Sequence, residues 1–216
     1  QTTTTTTGSL LDSIDTSNLT YTYVELRDPA IVAVVPQEYE EVESAVWTNK
    51  DGDPLGYTLT AAPNIQEFND TWTTPGMIIS SAIDLGEALD VDTAIGSDTL
   101  QESCTYDDRY TDEREVDGVT YTIDYDWYDK CGDSDSSYVV GLAQTDPADI
   151  AIFFDFLIAD KADEEAFDVF LQTFSVDREL AATYDDATAN TSGDEPVNNE
   201  PPAPNFVDVS DDTGTI

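Results

Sequence analysis

Carboxylates are the abundant reactive groups of this chain: 47 Asp and Glu stand against 7 Lys and Arg, and there is no histidine. Without histidine, Ser-His-Asp catalysis, Cys-His catalysis and imidazole-ligated metal sites are excluded. A formal charge of −40 excludes direct nucleic-acid binding, which needs cationic side chains against phosphate. Carboxylates alone can still cleave glycosidic bonds in pairs, or ligate hard cations. With so many acids almost any pair spacing occurs, so no pair points to a glycosidase. Trp72 and Trp127, the aromatic platforms a sugar would need, fall on faces expected to be buried. No catalytic residue is assigned, and the chain is not expected to be an enzyme.

Calcium is the one cofactor that the pattern admits. Asn49-Lys50-Asp51-Gly52-Asp53 sets oxygen ligands at alternate positions around a glycine, but Thr60 stands where an EF-hand loop needs its closing acid. Asp51 and Asp53 are one candidate ligand pair; Asp129, Asp133 and Asp135 are a second cluster. Each segment also reads as an ordinary polar turn.

The two cysteines carry the sharpest geometric signal. Asp117-Gly118 is the favoured dipeptide of a two-residue hairpin turn, which pairs Val116 with Val119. Opposed residue numbers then sum to 235, as do those of Cys104 and Cys131. Directly opposed Cα atoms lie within disulfide range, so this bond is predicted, with the reservation that a bulge in so long a ladder would shift the pairing.

The acids are not confined to the ends. Residues 20–177 hold 36 of them with six bases, which describes a folded domain with a carboxylate surface. Such a surface repels itself unless ions screen it, so it is read first as the hydration layer of a halophilic or marine protein and second as a cation-binding face. No run of apolar residues is long enough to span a membrane. Three Asn-x-Ser/Thr acceptors, at Asn18, Asn69 and Asn190, make glycosylation an expectation. Together with the cysteines they point to an extracellular or cell-surface protein. The start at Gln1 is read as the product of signal-peptide removal.

Three regions must position these groups. Residues 1–19 open with the run Thr2, Thr3, Thr4, Thr5, Thr6 and Thr7, followed by Leu10, Leu11 and Ile14. Residues 20–177 carry the regular elements. A strand over 30–35, apolar throughout, ends at Pro36, and the alternating Tyr57-Thr58-Leu59-Thr60-Ala61 is a half-buried strand. Asn64 and Glu67 begin a short helix whose Ile65, Phe68 and Trp72 share a face, and Pro75-Gly76 ends it before a strand from Met77 to Ile83. A second short helix is expected between Val91 and Glu102. After the hairpin, strands from Tyr138 to Ala143 and from Ile150 to Ile158 lead to a helix capped by Asp160, with Phe167, Phe170, Leu171 and Phe174 as its buried stripe. Residues 178–216 are an acidic, proline-containing tail interrupted by the strand-like word Phe206-Val207-Asp208-Val209.

This order of elements is that of an α+β protein with an antiparallel sheet and flanking helices. Over about residues 20–177 it resembles the PsbP-like family, the extrinsic photosystem subunit and its secreted bacterial relatives. The resemblance rests on Val35-Pro36 followed by Tyr39, and on Phe68-Asn69-x-Thr71-Trp72-x-Thr74-Pro75-Gly76. Cys104-Thr105-Tyr106, the later Cys131, and Phe170-Leu171-x-Thr173-Phe174 complete it. It implies an α/β/α sandwich and, mostly, non-catalytic accessory or binding roles, and it brings no catalytic residues.

Two functions follow as expectations. The first is an extracellular structural subunit that self-assembles into a homopolymer, a surface filament, through its extended ends. Thr2 to Thr7, Leu10, Leu11, Phe206, Val207 and Val209 would be the contacts, adding strands to a neighbour's sheet. The alternative is a monomeric secreted module that binds calcium or a protein partner, with the ends free or folded back on their own domain.

Overall fold

A computed structural model describes residues 10, 14–28, 30–48, 54–83, 88–96, 100–116, 118–147 and 149–177. Their regular elements are mostly antiparallel strands, making this an α+β fold built on a sheet. A small sheet has the order β1-β2-β10, from Tyr23–Asp28, Ile31–Pro36 and Ser175–Val176. A seven-stranded sheet runs β3-β4-β5-β9-β8-β7-β6. Its strands are β3 Glu41–Thr48, β4 Pro54–Ala62, β5 Gly76–Ile83, β6 Thr105–Val116, β7 Val119–Asp129, β8 Ser137–Thr145 and β9 Ile150–Ile158. The order is that of two meanders, β3-β4-β5 and β6-β7-β8-β9, which join where β5 pairs with β9.

That topology explains how both faces of the large sheet are covered. The link from β5 must reach the far edge before β6 can begin, and it carries helices α2 (Val91–Ile95) and α3 (Leu100–Ser103). Ile95 of α2 buries against Leu142 and Ala151 on one face. On that face too, Phe68 of α1 (Ile65–Asp70) packs with Trp72, Tyr128, Tyr138, Leu157 and the two cysteines. The opposite face receives helix α4 (Lys161–Thr173), whose Phe167 and Phe170 interlock with Phe154 and Phe156 of β9, while Phe174 just past its end packs against Phe170 and Tyr121. Strand β2 is buried on both sides: Ile31, Ala33 and Val35 join this core, while Val32 and Val34 pack with Ala166 and Val169 of α4. A strand apolar at every position is therefore needed at β2 alone in the small sheet.

Most expected elements appear at the expected places. Asn64 caps α1 by accepting a hydrogen bond from Glu67 N at 2.8 Å, and Asp160 with Asp163 forms a full capping box on α4. The hairpin pairs Val116 with Val119, and Gly118 takes a positive φ of 76° as its turn requires. One reading needs correction, and some elements were not anticipated from the sequence. Strand β3 carries too few apolar residues to announce itself, because its side chains are exposed over most of its length. The short helix expected between Val91 and Glu102 is α2, ended by Gly96, and α3 follows it as an additional short helix. Trp72 belongs to the buried cluster of Ile65 and Phe68 but lies beyond the helix, which stops at Asp70. Among the described residues no helix is long and apolar enough to cross a membrane.

Cys104 and Cys131 are disulfide-bonded, although not as directly opposed ladder residues. The sum of 235 holds from Val116↔Val119 to Asp108↔Trp127, then a bulge shifts the register to Tyr106↔Tyr128. The bond therefore joins the residue just before β6 to a single 3-10 turn, Cys131–Asp133, just after β7. Gly132 in that turn has φ +54° and lies so close to the Trp72 ring that a Cβ there would collide with it. The bond spans 27 residues of sequence, a loop whose closure corresponds to about 3–4 kcal/mol. Replacing both cysteines by serine is expected to lower unfolding free energy by about that amount in denaturant titration. Thiol titration of the denatured, unreduced chain should find no free thiol.

Candidate functional site

A cleft of about 360 Å³ opens beside the outer strands β6 and β7. Arg109 of β6, Asp126 of β7 and Asp92 of α2 line it, with Tyr106, Tyr128 and Gln101. Register brings Arg109 opposite Asp126, and the guanidinium grips that carboxylate with two bonds, Nε to Oδ1 at 2.7 Å and Nη2 to Oδ2 at 2.8 Å. The third nitrogen, Nη1, reaches Asp92 and so ties helix α2 to the sheet. Asp126 is only 2 % exposed, and the bonds from Arg109 satisfy a charge that burial would otherwise make costly. These bonds hold the Arg109 pKa above its ordinary value. Chemically the cleft contains a cation already neutralised by two carboxylates, which is an ionic latch.

Two more carboxylates sit inside the fold, each made tolerable differently. Asp163 is 1 % exposed; its Oδ1 accepts from the Tyr21 hydroxyl at 2.9 Å and the Tyr39 hydroxyl at 3.1 Å. Its Oδ2 accepts from the backbone N–H groups of Ala159 and Asp160. Burial raises its pKa while these bonds oppose the rise, and burial beside Asp163 pushes the Tyr39 hydroxyl well up. Nearby, burial and the surrounding carboxylates push Tyr23 up to about 12. Asp155, on central strand β9, is enclosed by protein atoms although part of its surface still reaches solvent. It accepts one bond from the Tyr138 hydroxyl at 3.1 Å. Burial raises its pKa to about 7, with the Tyr138 bond pulling the other way.

The residues singled out from sequence are scattered. Asp129 accepts bonds from Trp127 Nε1 at 2.9 Å and Ser137 Oγ at 2.7 Å. Asp133 and Asp135 are exposed in the following turn. Among the described residues no three Asp, Glu or Cys side chains gather as a metal would need. Asp51 and Asp53 lie outside the described residues, as do Asn190, Thr2 to Thr7, Leu11, Phe206, Val207 and Val209. Asn18 is exposed in a turn, and Asn69 is half-buried in the last turn of α1. Leu10 is buried in its own domain with Tyr23, Val34 and Val169, and its N–H donates to Glu25.

Spacing alone did not reveal the burial of Asp126 and Asp163, the pairing of Arg109 or the enclosure of Asp155. One signal was available. Asp155 interrupts an otherwise apolar strand, Ile150–Ile158, and an acid on a central strand must find a partner or a proton.

The sheet edges form the remaining surface feature. Among the described residues, strands β3 and β6 stand at the two ends of the seven-stranded order. Strand β6 is bulged near Asp107 and carries acids along its length, while β3 keeps an unbroken register from Glu41 to Trp47.

Replacing Arg109 by Ala should cost about 3–5 kcal/mol in denaturant unfolding, because Asp126 is left buried and unpaired. Arg109→Lys should recover part of that loss through a single contact. Asp155 keeps its proton to about pH 7 in the folded chain, whereas an ordinary aspartate ionises near 3.8. Between those values the unfolded chain binds fewer protons, so the stabilising contribution, complete below about pH 4, is lost as pH rises through 7. Asp155→Asn should therefore be more stable than wild type at pH 8, with the gain shrinking by pH 5.

No protein-family model matches the chain, and no curated protein matches it.

Proposed function

We propose that this chain is a non-enzymatic extracellular structural subunit, a PsbP-like sandwich that self-assembles into a filament or similar polymer. Assembly proceeds by strand addition between copies. The observation that carries the reading is that β6 ends the seven-stranded sheet with no further strand beside it among the described residues. An edge of this kind takes an added strand through backbone hydrogen bonds, and a contact repeated head to tail generates a fibre. The buried carboxylates support a structural role, since Asp126 is committed to Arg109, which also reaches Asp92 of α2, and Asp163 to Tyr21 and Tyr39. The disulfide and the exposed Asn18 acceptor are compatible with a secreted, glycosylated protein.

The net charge sets the conditions. Copies at −40 repel one another, so counterions must screen the surfaces before strands can meet. Salt should therefore strengthen assembly.

The full chain is expected to form polymers visible by electron microscopy, growing as salt is raised in light scattering. Deleting residues 1–9, which spares the buried Leu10, should remove them. A single monomeric species at both low and high salt would overturn this reading in favour of a secreted accessory module that binds calcium or a protein partner.

A further inference from the structure

Separate from assembly, and not dependent on it, the Arg109 cleft has the make-up of a ligand site. We propose that it binds a small neutral saccharide, with the Tyr106 ring as platform and Arg109, Asp92 and Gln101 as hydrogen-bonding groups.

The bulge in β6 assembles this site. In a regular strand, residues three apart point to opposite faces of the sheet. Arg109 lies opposite Asp126 and Tyr106 opposite Tyr128, and these two partners, two apart on β7, share a face. Tyr106 and Arg109 therefore share that face as well, because the register shift at Asp107 turns Tyr106 over. Without the shift, the ring and the guanidinium would lie on opposite sides of the sheet. The disulfide fastens the same spot. Cys104 directly follows α3, which carries Gln101, and precedes Tyr106 by two residues, while Cys131 lies three residues beyond Tyr128.

The ring is held in place and still exposed. Tyr106 meets Tyr128 edge-on, with centroids 5.4 Å apart, and is 43 % exposed, the highest value among the large apolar side chains described. A sugar ring presents C–H bonds on its faces, and their partial positive charge suits the negative face of an aromatic ring. Its hydroxyls need donors and acceptors nearby. Arg109 has more N–H bonds than the three it spends on Asp126 and Asp92. Asp92, its side chain 85 % exposed, has a second oxygen to accept with, and the exposed Gln101 offers both a donor and an acceptor. The volume of about 360 Å³ falls within the range of small-molecule sites.

Charge selects among ligands. Arg109 is offset by two carboxylates in a chain of net charge −40, so an anion finds no net attraction. Both oxygens of Asp126 are taken by the guanidinium, and among the described residues no three Asp, Glu or Cys side chains gather for a metal ion. An apolar ligand would desolvate the ion pairs and return no hydrogen bond. A neutral, hydroxyl-rich molecule satisfies the ring and the ionic groups together.

The test is titration of the full chain with maltose, cellobiose and N,N′-diacetylchitobiose, followed by amide NMR. At least one of them should give saturable shifts centred on Gly96, Gln101, Tyr106, Arg109 and Tyr128. Tyr106→Ala should weaken that binding about tenfold or more, and Tyr106→Phe, which keeps the ring, should stay within about threefold. Tyr110→Ala removes the other exposed tyrosine of β6, outside the cleft, and should stay within about twofold. The same spectra show whether each variant is folded. Should Tyr106→Ala not fold, Gln101→Ala at the exposed rim takes its place, with an expected loss of about threefold or more. Digalacturonate, an acidic disaccharide, should bind about tenfold more weakly than the best neutral one. Three neutral disaccharides without saturable shifts, shifts that map elsewhere, equal or tighter binding of digalacturonate, or binding indifferent to the cleft variants would each overturn the site. None of these outcomes bears on whether the chain assembles.

Discussion

The pairing of β5 with β9 is the constraint on which the rest of the molecule depends. It runs in continuous register from Gly76↔Leu157 to Ile83↔Ile150 and joins two meanders that are otherwise separate in sequence. Once it forms, Phe154 and Phe156 occupy the middle of a seven-stranded sheet, and α4 has a surface on which to bury its phenylalanines. The same pairing forces the chain after β5 to cross the opposite face to reach β6. Coverage of both faces is therefore a consequence of one seam. Such a sheet depends on contacts far apart in sequence, which is the slow route to a fold.

Charge works against this architecture, and the interior shows how it is contained. Three carboxylates enter the fold by three routes. Asp126 is gripped by a bidentate guanidinium, Asp163 is surrounded by two hydroxyls and two backbone N–H groups, and Asp155 is held in a place that favours its neutral form. The first two also connect elements: α2 to the sheet, and Tyr21 and Tyr39 to the start of α4. Among the described residues the remaining acids lie mainly at the surface, where water and counterions solvate them. A polymer of such subunits would have to draw its cohesion from backbone pairing and apolar contact, with ions suppressing the repulsion.

Much of the fold was legible because periodicity reports burial directly. The alternation of Tyr57 to Ala61, the unbroken apolar strand over 30–35 and the phenylalanine stripe of α4 each correspond to a buried face. Strand β3 was not legible for the same reason: an edge strand with exposed side chains has no burial to report. The disulfide shows both sides of this. Hairpin arithmetic brought Cys104 and Cys131 together, while the bulge near Asp107 moved the two cysteines off direct opposition.

The sequence by itself determined the charge, the absence of imidazole chemistry, the cysteine partnership and the local faces of most elements. These depend on composition or on neighbours within a few residues. Only the tertiary structure decided that Arg109 meets both Asp126 and Asp92, that Asp163 collects Tyr21 and Tyr39, and which strands end the sheet. Those outcomes depend on strand order and long-range register. A short-range pattern cannot encode them, because every strand with the same alternation is locally equivalent until its neighbours are chosen.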